Sequence, residues 1–213
     1  MKRLLLASVL SVSLSSVFAE GAKQDPFVHG DAGAGAAKAA TCFACHGPNG
    51  NGAINPEWPK LAAQHSAYIY SQLNAFKSSQ RKNPVMMGQA SALSDEDMRN
   101  LGAFFASQAA VPGVASADAV KVAEKLYRAG DATRALPACS GCHGPQGLGN
   151  AAAAMPRLSG QNSGYVVAQL KAYRAGERGA GDKDTKGKMM KAVAAQLSDT
   201  EIAALGSYVS GLQ

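Results

Sequence analysis

From about residue 30 onward, apolar positions in this chain recur at intervals of three and four, and no stretch alternates apolar with polar as a half-buried strand would. The spacing predicts helices over 31 to about 40, 66–77, 119–127 and 163–174. Two more are marked by how they begin. Ser94 with Asp97, and Ser198 with Glu201, have the spacing of capping boxes, in which the serine hydroxyl accepts from a first-turn N–H and the acid reaches back to the serine N–H. Behind them, Leu101, Phe104 and Phe105, and then Leu205, Tyr208 and Val209, form apolar stripes along one helix face each. Gly33 and Gly35 in the first helix leave room for another helix to approach. The pattern is all-α.

One apolar run does not fit this scheme. Met1-Lys2-Arg3 precedes an apolar, serine-rich stretch from Leu4 to about Val17, and Val17-Phe18-Ala19 places small residues where a signal peptidase reads. Residues 1–19 are therefore expected to be a secretory signal, too short and too rich in serine to span a bilayer. The mature chain then starts near Glu20, exported into an oxidising compartment.

The rest of the chain reads as one unit written twice. "CFACHGPNGNG" (42–52) returns as "CSGCHGPQGLG" (139–149) at a shift of 97 residues, and the same shift carries "PKLAAQHSAYIYSQLNAF" (59–76) onto "PRLSGQNSGYVVAQLKAY" (156–173). "LSDEDMRNLGAFF" (93–105) matches "LSDTEIAALGSYV" (197–209) at a shift of 104, the seven extra residues falling in the Gly/Lys/Asp loop 176–188, where insertion is cheap. Residues 108–118, "QAAVPGVASAD", read as a linker, giving a first domain over 20–112 and a second over 113–213.

The repeated hook, Cys-x-x-Cys-His, is open to three chemistries: a redox dithiol, part of a zinc site, or the attachment point of a c-type haem. A redox dithiol usually lies beside a strand in an alternating strand and helix pattern, which this chain lacks, and needs no following histidine. Zinc needs four ligands; each copy supplies three, and the second half has no histidine besides His143. Haem accounts for every element. On a helical turn, positions i, i+3 and i+4 share a face, so Cys42 and Cys45, or Cys139 and Cys142, can form thioethers to the two vinyl groups while His46 or His143 reaches the iron from the same side. Halves of about 95 residues with 6% aromatics have little core of their own, and a buried porphyrin would supply it.

The second axial ligand follows from register. Aligned on Leu-Ser-Asp, Met86 falls opposite Met190, whereas Met87 faces Lys191 and Met189 faces Val85. Met86 and Met190 are the expected ligands. Met98, on a final helix, reads as core filling, and Met155, opposite Trp58, as packing against the haem. His29 lies near the mature N-terminus and His65 begins a helix, where capping or solvent exposure is expected. Pro59 and Pro156 each precede a Lys/Arg-Leu pair and are expected to offer a carbonyl to the imidazole N–H of the histidine ligand. Six-coordinate irons leave no open site, so the expected chemistry is outer-sphere electron transfer at a raised potential, without catalysis.

Charge adds one asymmetry. Residues 20–112 carry seven Lys/Arg and seven Asp/Glu, whereas residues 113–213 carry twelve and eight. No basic block is interleaved with aromatics, so nucleic acid is not the expected partner; a basic docking face on the second half is.

The two hooks, the two Met-x6-Leu-Ser-Asp segments, the two Pro-Lys/Arg-Leu loops, "GDAGAG" before the first hook and "LSDTEIAALGSYVSGL" at the end together resemble the dihaem cytochrome c4 family over nearly all the mature chain. The resemblance implies two class I cytochrome c domains related by a pseudo-twofold axis and two covalently bound c-type haems. It implies that Cys42, Cys45, His46 and Met86 serve one haem and Cys139, Cys142, His143 and Met190 the other. It also implies a periplasmic role carrying electrons from a cytochrome bc complex toward terminal oxidases, with any membrane association made through partners. A dihaem subunit of a dehydrogenase, such as flavocytochrome sulfide dehydrogenase, is the competing reading. A departure from strict repetition is the segment between the histidine and methionine ligands, 40 residues in the first copy against 47 in the second.

Overall fold

The computed structural model describes residues 29–212 apart from 53, 182 and 183; the signal segment expected over residues 1–19 lies outside them. The first half consists of α1 (Ala32–His46), α2 (Ser66–Lys77), α3 (Pro84–Ser91) and α4 (Asp95–Ser107). The second consists of α5 (Ala117–Ala129), α6 (Ser140–His143), α7 (Ser163–Ala175), α8 (Thr185–Ala194) and α9 (Asp199–Gly211). Among the described residues the only strand-like pairings are the isolated bridges Asp131–Leu136 and Asn150–Met155. No described helix is long and apolar enough to cross a membrane.

In each half the capped final helix is the hub. Both capping boxes form, Ser94 with Asp97 and Ser198 with Glu201. α1 and α2 pack on α4, as α5 and α7 pack on α9. The apolar stripes face inward: Leu101, Phe104 and Phe105 join Ala39 and Ile69 in one core, and Leu205, Tyr208 and Val209 join Tyr127 and Ile202 in another. Gly35 bears out the expected close approach, because a Cβ there would lie 2.1 Å from the Asn100 carbonyl oxygen on α4. Gly33 does not; its nearest neighbour would be the flexible Asp31 side chain at 3.1 Å.

Three features depart from the sequence reading. α1 does not stop near residue 40 but continues through the first hook to His46. In the second half α5 ends at Gly130, and the hook sits on the separate single turn α6. Gly130 forces this break: at φ 68° it turns the chain back until a Cβ would lie 2.3 Å from the Leu136 carbonyl. The segments carrying Met86–Met87 and Met189–Met190, for which the apolar pattern predicted no element, are the helices α3 and α8. They are started by polar caps, Asn83 accepting from Met86 N–H at 3.0 Å and Asp184 from Gly187 N–H at 2.7 Å.

The halves are joined by matched, crossing hydrogen bonds. Gln64 accepts from Arg157 N–H and donates to the Arg157 carbonyl, both at 2.9 Å. Gln161 does the same to Lys60, at 2.7 and 2.9 Å. Such exchange, where one surface meets its own counterpart, is the mark of a twofold relation. The expected linker is strapped to both halves: Lys60 Nζ donates to Val111 O at 2.8 Å, Asn51 brackets Ala109 and Val111, and Gly113 N–H donates to Ser210 O at 3.0 Å.

Candidate haem sites

The first hook occupies the last turn of α1, which ends at Gly47 with φ 75°. A Cβ on Gly47 would collide with Gly52 O at 1.8 Å, so only glycine allows the chain to fold back at once beneath His46. Gly52 N–H donates to His46 O at 3.2 Å, and Leu61 N–H to Gly50 O at 2.7 Å. This folded loop brings Pro59 under the imidazole. The second hook repeats the arrangement: Gly149 N–H donates to His143 O at 2.8 Å and Leu158 N–H to Gly147 O at 2.7 Å.

The result is the contact expected from the sequence. His46 Nδ1 lies 2.8 Å from the Pro59 carbonyl and His143 Nδ1 lies 3.0 Å from that of Pro156, thirteen residues on in both cases. A carbonyl can only accept, so each Nδ1 carries the proton and each Nε2 presents its lone pair. Both rings are buried, at 7% and 6% exposure. Burial pushes both imidazoles below the usual histidine range, the proline carbonyl opposing it, and so favours the neutral ring that can act as a ligand.

No disulfide joins the four cysteines; Cys42, Cys45 and Cys139 are half-buried and Cys142 is exposed. Burial raises the Cys42 thiol and holds that of Cys139 at about 11, which keeps both protonated rather than poised as reactive thiolates. Among the described residues no three His, Cys, Asp or Glu side chains gather as a metal ion would require, so the donor set does not suit zinc. It fits haem: two thiols and an imidazole with a free Nε2 in each half. Partly buried apolar side chains at matching positions, Leu61 and Leu73 in one half and Leu158 and Leu170 in the other, pack on the two cores.

The methionines separate by exposure. Met189 is 51% exposed while Met190 is half-buried, and Val85, the counterpart of Met189, is 61% exposed. Met86 and Met87 are both half-buried. Met98 is core, at 2% exposure. His29 is exposed. His65 is the N-cap residue of α2, as expected, but its side chain makes no capping bond; its Nε2 bonds the Leu148 carbonyl of the other half at 2.8 Å. The sequence reading also passed over Arg81 and Arg178, which bond across the seam between the halves. Their spacing of 97 residues, the shift of the hooks, was the available signal.

The cytochrome c family model matches residues 30–109 and again 123–213. The chain is 42% identical over 212 residues to cytochrome c4 of Pseudomonas aeruginosa, covering 100% of both chains. It is 34% identical over 209 residues to a thiosulfate dehydrogenase electron acceptor of Stutzerimonas stutzeri, covering 96% of this chain and 92% of that one. The crystal structure of reduced recombinant cytochrome c4 from Pseudomonas stutzeri superposes with a TM-score of 0.81 at 41% identity, over 87% of this chain and 100% of that one.

Proposed function

The chain belongs to the cytochrome c4 family, and from that premise we propose that it is a periplasmic shuttle whose two domains, 20–112 and 113–213, pass single electrons from a cytochrome bc complex toward terminal oxidases. As a member it is an electron-transfer protein with two covalently bound c-type haems, not an enzyme. Each haem, when bound, supplies a one-electron couple. Cys42 and Cys45 would hold the first through thioethers and Cys139 and Cys142 the second, with His46 and Met86, and His143 and Met190, as the residues that would ligate the two irons.

The observation that carries this reading is the pair of buried imidazoles, each oriented by a proline carbonyl. That hydrogen bond fixes ring orientation and raises ligand basicity. A methionine thioether as the other ligand would favour the reduced iron and raise the potential. Met86 on α3 and Met190 on α8 would, as ligands, keep water and peroxide from the metal. Residues 1–19 direct export and are removed.

The 34% identity to a thiosulfate dehydrogenase electron acceptor favours a second reading, in which the electron donor is a periplasmic dehydrogenase rather than the bc complex. Stopped-flow mixing separates the two. The oxidised protein is expected to be reduced faster by quinol-driven bc complex than by a sulfur-compound dehydrogenase with its substrate; the reverse order would establish the second reading. Haem quantification on the same preparation should give two covalent haems per chain, and fewer would overturn the site assignment.

A further inference from the structure

The peptide unit that joins Pro59 to Lys60 is occupied at both ends. Its oxygen accepts the His46 Nδ1–H at 2.8 Å, and its N–H donates to Gln161 Oε1, in the other half, at 2.7 Å. The unit that joins Pro156 to Arg157 is used in the same way. Its oxygen accepts from His143 Nδ1 at 3.0 Å, and its N–H donates to Gln64 Oε1 at 2.9 Å. Each imidazole therefore begins a line of two hydrogen bonds that passes through one backbone amide and ends on a glutamine of the opposite half.

Neither glutamine is free to turn. Gln64 Oε1 also accepts the His65 N–H at 3.1 Å and Gln161 Oε1 the Asn162 N–H at 2.9 Å, while each Nε2 donates to the carbonyl of the residue gripped. With N–H donors on one side and a carbonyl on the other, one orientation of the amide satisfies all of them. Both glutamines and both imidazoles are buried.

Fastening the halves together does not account for this placement. Other peptides at the seam could be gripped, yet in both copies it is the one whose oxygen holds the imidazole. The side chains that follow go separate ways, Lys60 Nζ to the Val111 carbonyl and the Arg157 guanidinium to Ser159, so what the two copies share is the backbone contact. Hydrogen bonds in line through an amide polarise one another, and burial keeps water from screening the effect. An acceptor at the N–H end makes the carbonyl a stronger acceptor at the other.

We propose that Gln161 and Gln64 act crosswise as positioning residues: Gln161 strengthens the hydrogen bond that orients His46 and Gln64 the one that orients His143, so each half sets the basicity of the other's histidine ligand. This rests on the two-haem reading given above. A firmer Nδ1–H bond makes the imidazole a stronger donor, which favours ferric iron, and such hydrogen bonds are one of the protein's levers on a haem potential. Removing the glutamine acceptor should then raise the potential of the haem in the opposite half.

The test is an NMR-monitored redox titration of the purified holoprotein, which resolves the two haems, with the ligand histidines' Nδ1–H resonances recorded in the reduced state and covalent haem quantified. Gln161→Leu should raise the midpoint potential of the first haem and move the His46 Nδ1–H resonance upfield, with a smaller shift at the second haem. Gln64→Leu should do the same to the second haem and His143. Gln161→Met and Gln64→Met, which remove the amide but nearly keep its length, carry the same expectations if a leucine variant does not fold. Gln161→Glu and Gln64→Glu retain an acceptor oxygen and should hold the resonance at or downfield of its wild-type position; an upfield shift as large as that of the leucine variants would make packing the cause and overturn the proposal. Unmoved potentials would overturn it, as would a raised potential with an unmoved Nδ1–H resonance. Equal shifts at both haems, or a shift confined to the haem of the substituted half, are what a loosened seam would give and would overturn the crossing. Wild-type protein with fewer than two covalent haems would fail the underlying reading rather than this one.

Discussion

Gln64 holds Arg157 by both backbone groups, its Oε1 accepting the Arg157 N–H and its Nε2 donating to the Arg157 carbonyl, each at 2.9 Å. A single side chain thus does across the seam what a strand partner does along a ladder. Gln161 repeats this on Lys60, and the two glutamines are buried at 7% and 8% exposure. Gln64→Leu or Gln161→Leu would leave a buried backbone donor and acceptor without partners. Each substitution is expected to cost about 1–3 kcal/mol, read as a lower denaturant midpoint; unchanged midpoints for both would show that the glutamines do not hold the seam.

Met190→Ala should abolish the methionine-to-iron charge-transfer band of the second ferric haem, lower its potential and open it to added cyanide or imidazole. Met189→Ala, at a position 51% exposed, should do none of these. The opposite pattern would place the ligand one residue earlier.

Gly35 and Gly33 lie two residues apart on α1 with opposite expectations. Gly35→Ala drives a methyl into the backbone of α4, where the Asn100 oxygen would be 2.1 Å away, and should destabilise by about 1–3 kcal/mol or more. Gly33→Ala meets only the Asp31 side chain and should lie within about 1 kcal/mol of wild type, with helix propensity in its favour. Thermal melts of the two variants compare them directly; equal losses would mean that α1 and α4 do not approach as described.

Glu201 is held down to about 2, first by its hydrogen bond to Arg134, with the Ser198 cap adding to it. A carboxyl whose folded value is depressed contributes stability above its unfolded value, and that contribution is lost as pH falls toward the folded one. Between about pH 4.5 and pH 2 the wild type should therefore lose stability more steeply than Glu201→Gln. Superimposable acid-unfolding curves would remove Glu201 from the account.

Lys186, Lys188 and Lys191 lie exposed on α8, next to the proposed ligand Met190, whereas the matching helix α3 carries no lysine. Lys183, in the same loop, lies outside the described residues. Reversing Lys186 and Lys188 to glutamate should slow electron exchange with an acidic redox partner at low ionic strength and flatten its salt dependence. Rates unchanged at low salt would take α8 off the docking face.

The sequence by itself determined whatever depends on near neighbours in the chain. The hooks, the capping boxes and the apolar stripes are local patterns, and a helical turn brings i, i+3 and i+4 together wherever it occurs, so Cys42, Cys45 and His46 could be read as one unit. The duplication was equally legible, and it placed Met86 opposite Met190 and Pro59 opposite Pro156. Tertiary structure alone decided what depends on distant parts of the chain meeting. The break between α5 and the second hook arises because Gly130 packs against Leu136 and Pro137, a close approach that periodicity does not encode. α3 and α8 are short and capped by polar side chains, so they carry little apolar periodicity to detect. The seam is polar, and its hydrogen bonds join residues such as Arg81 and Gln169, 88 positions apart. A repeat tells which residues are equivalent; it does not tell which copies touch, because that is set by how two folded surfaces fit rather than by spacing along one chain.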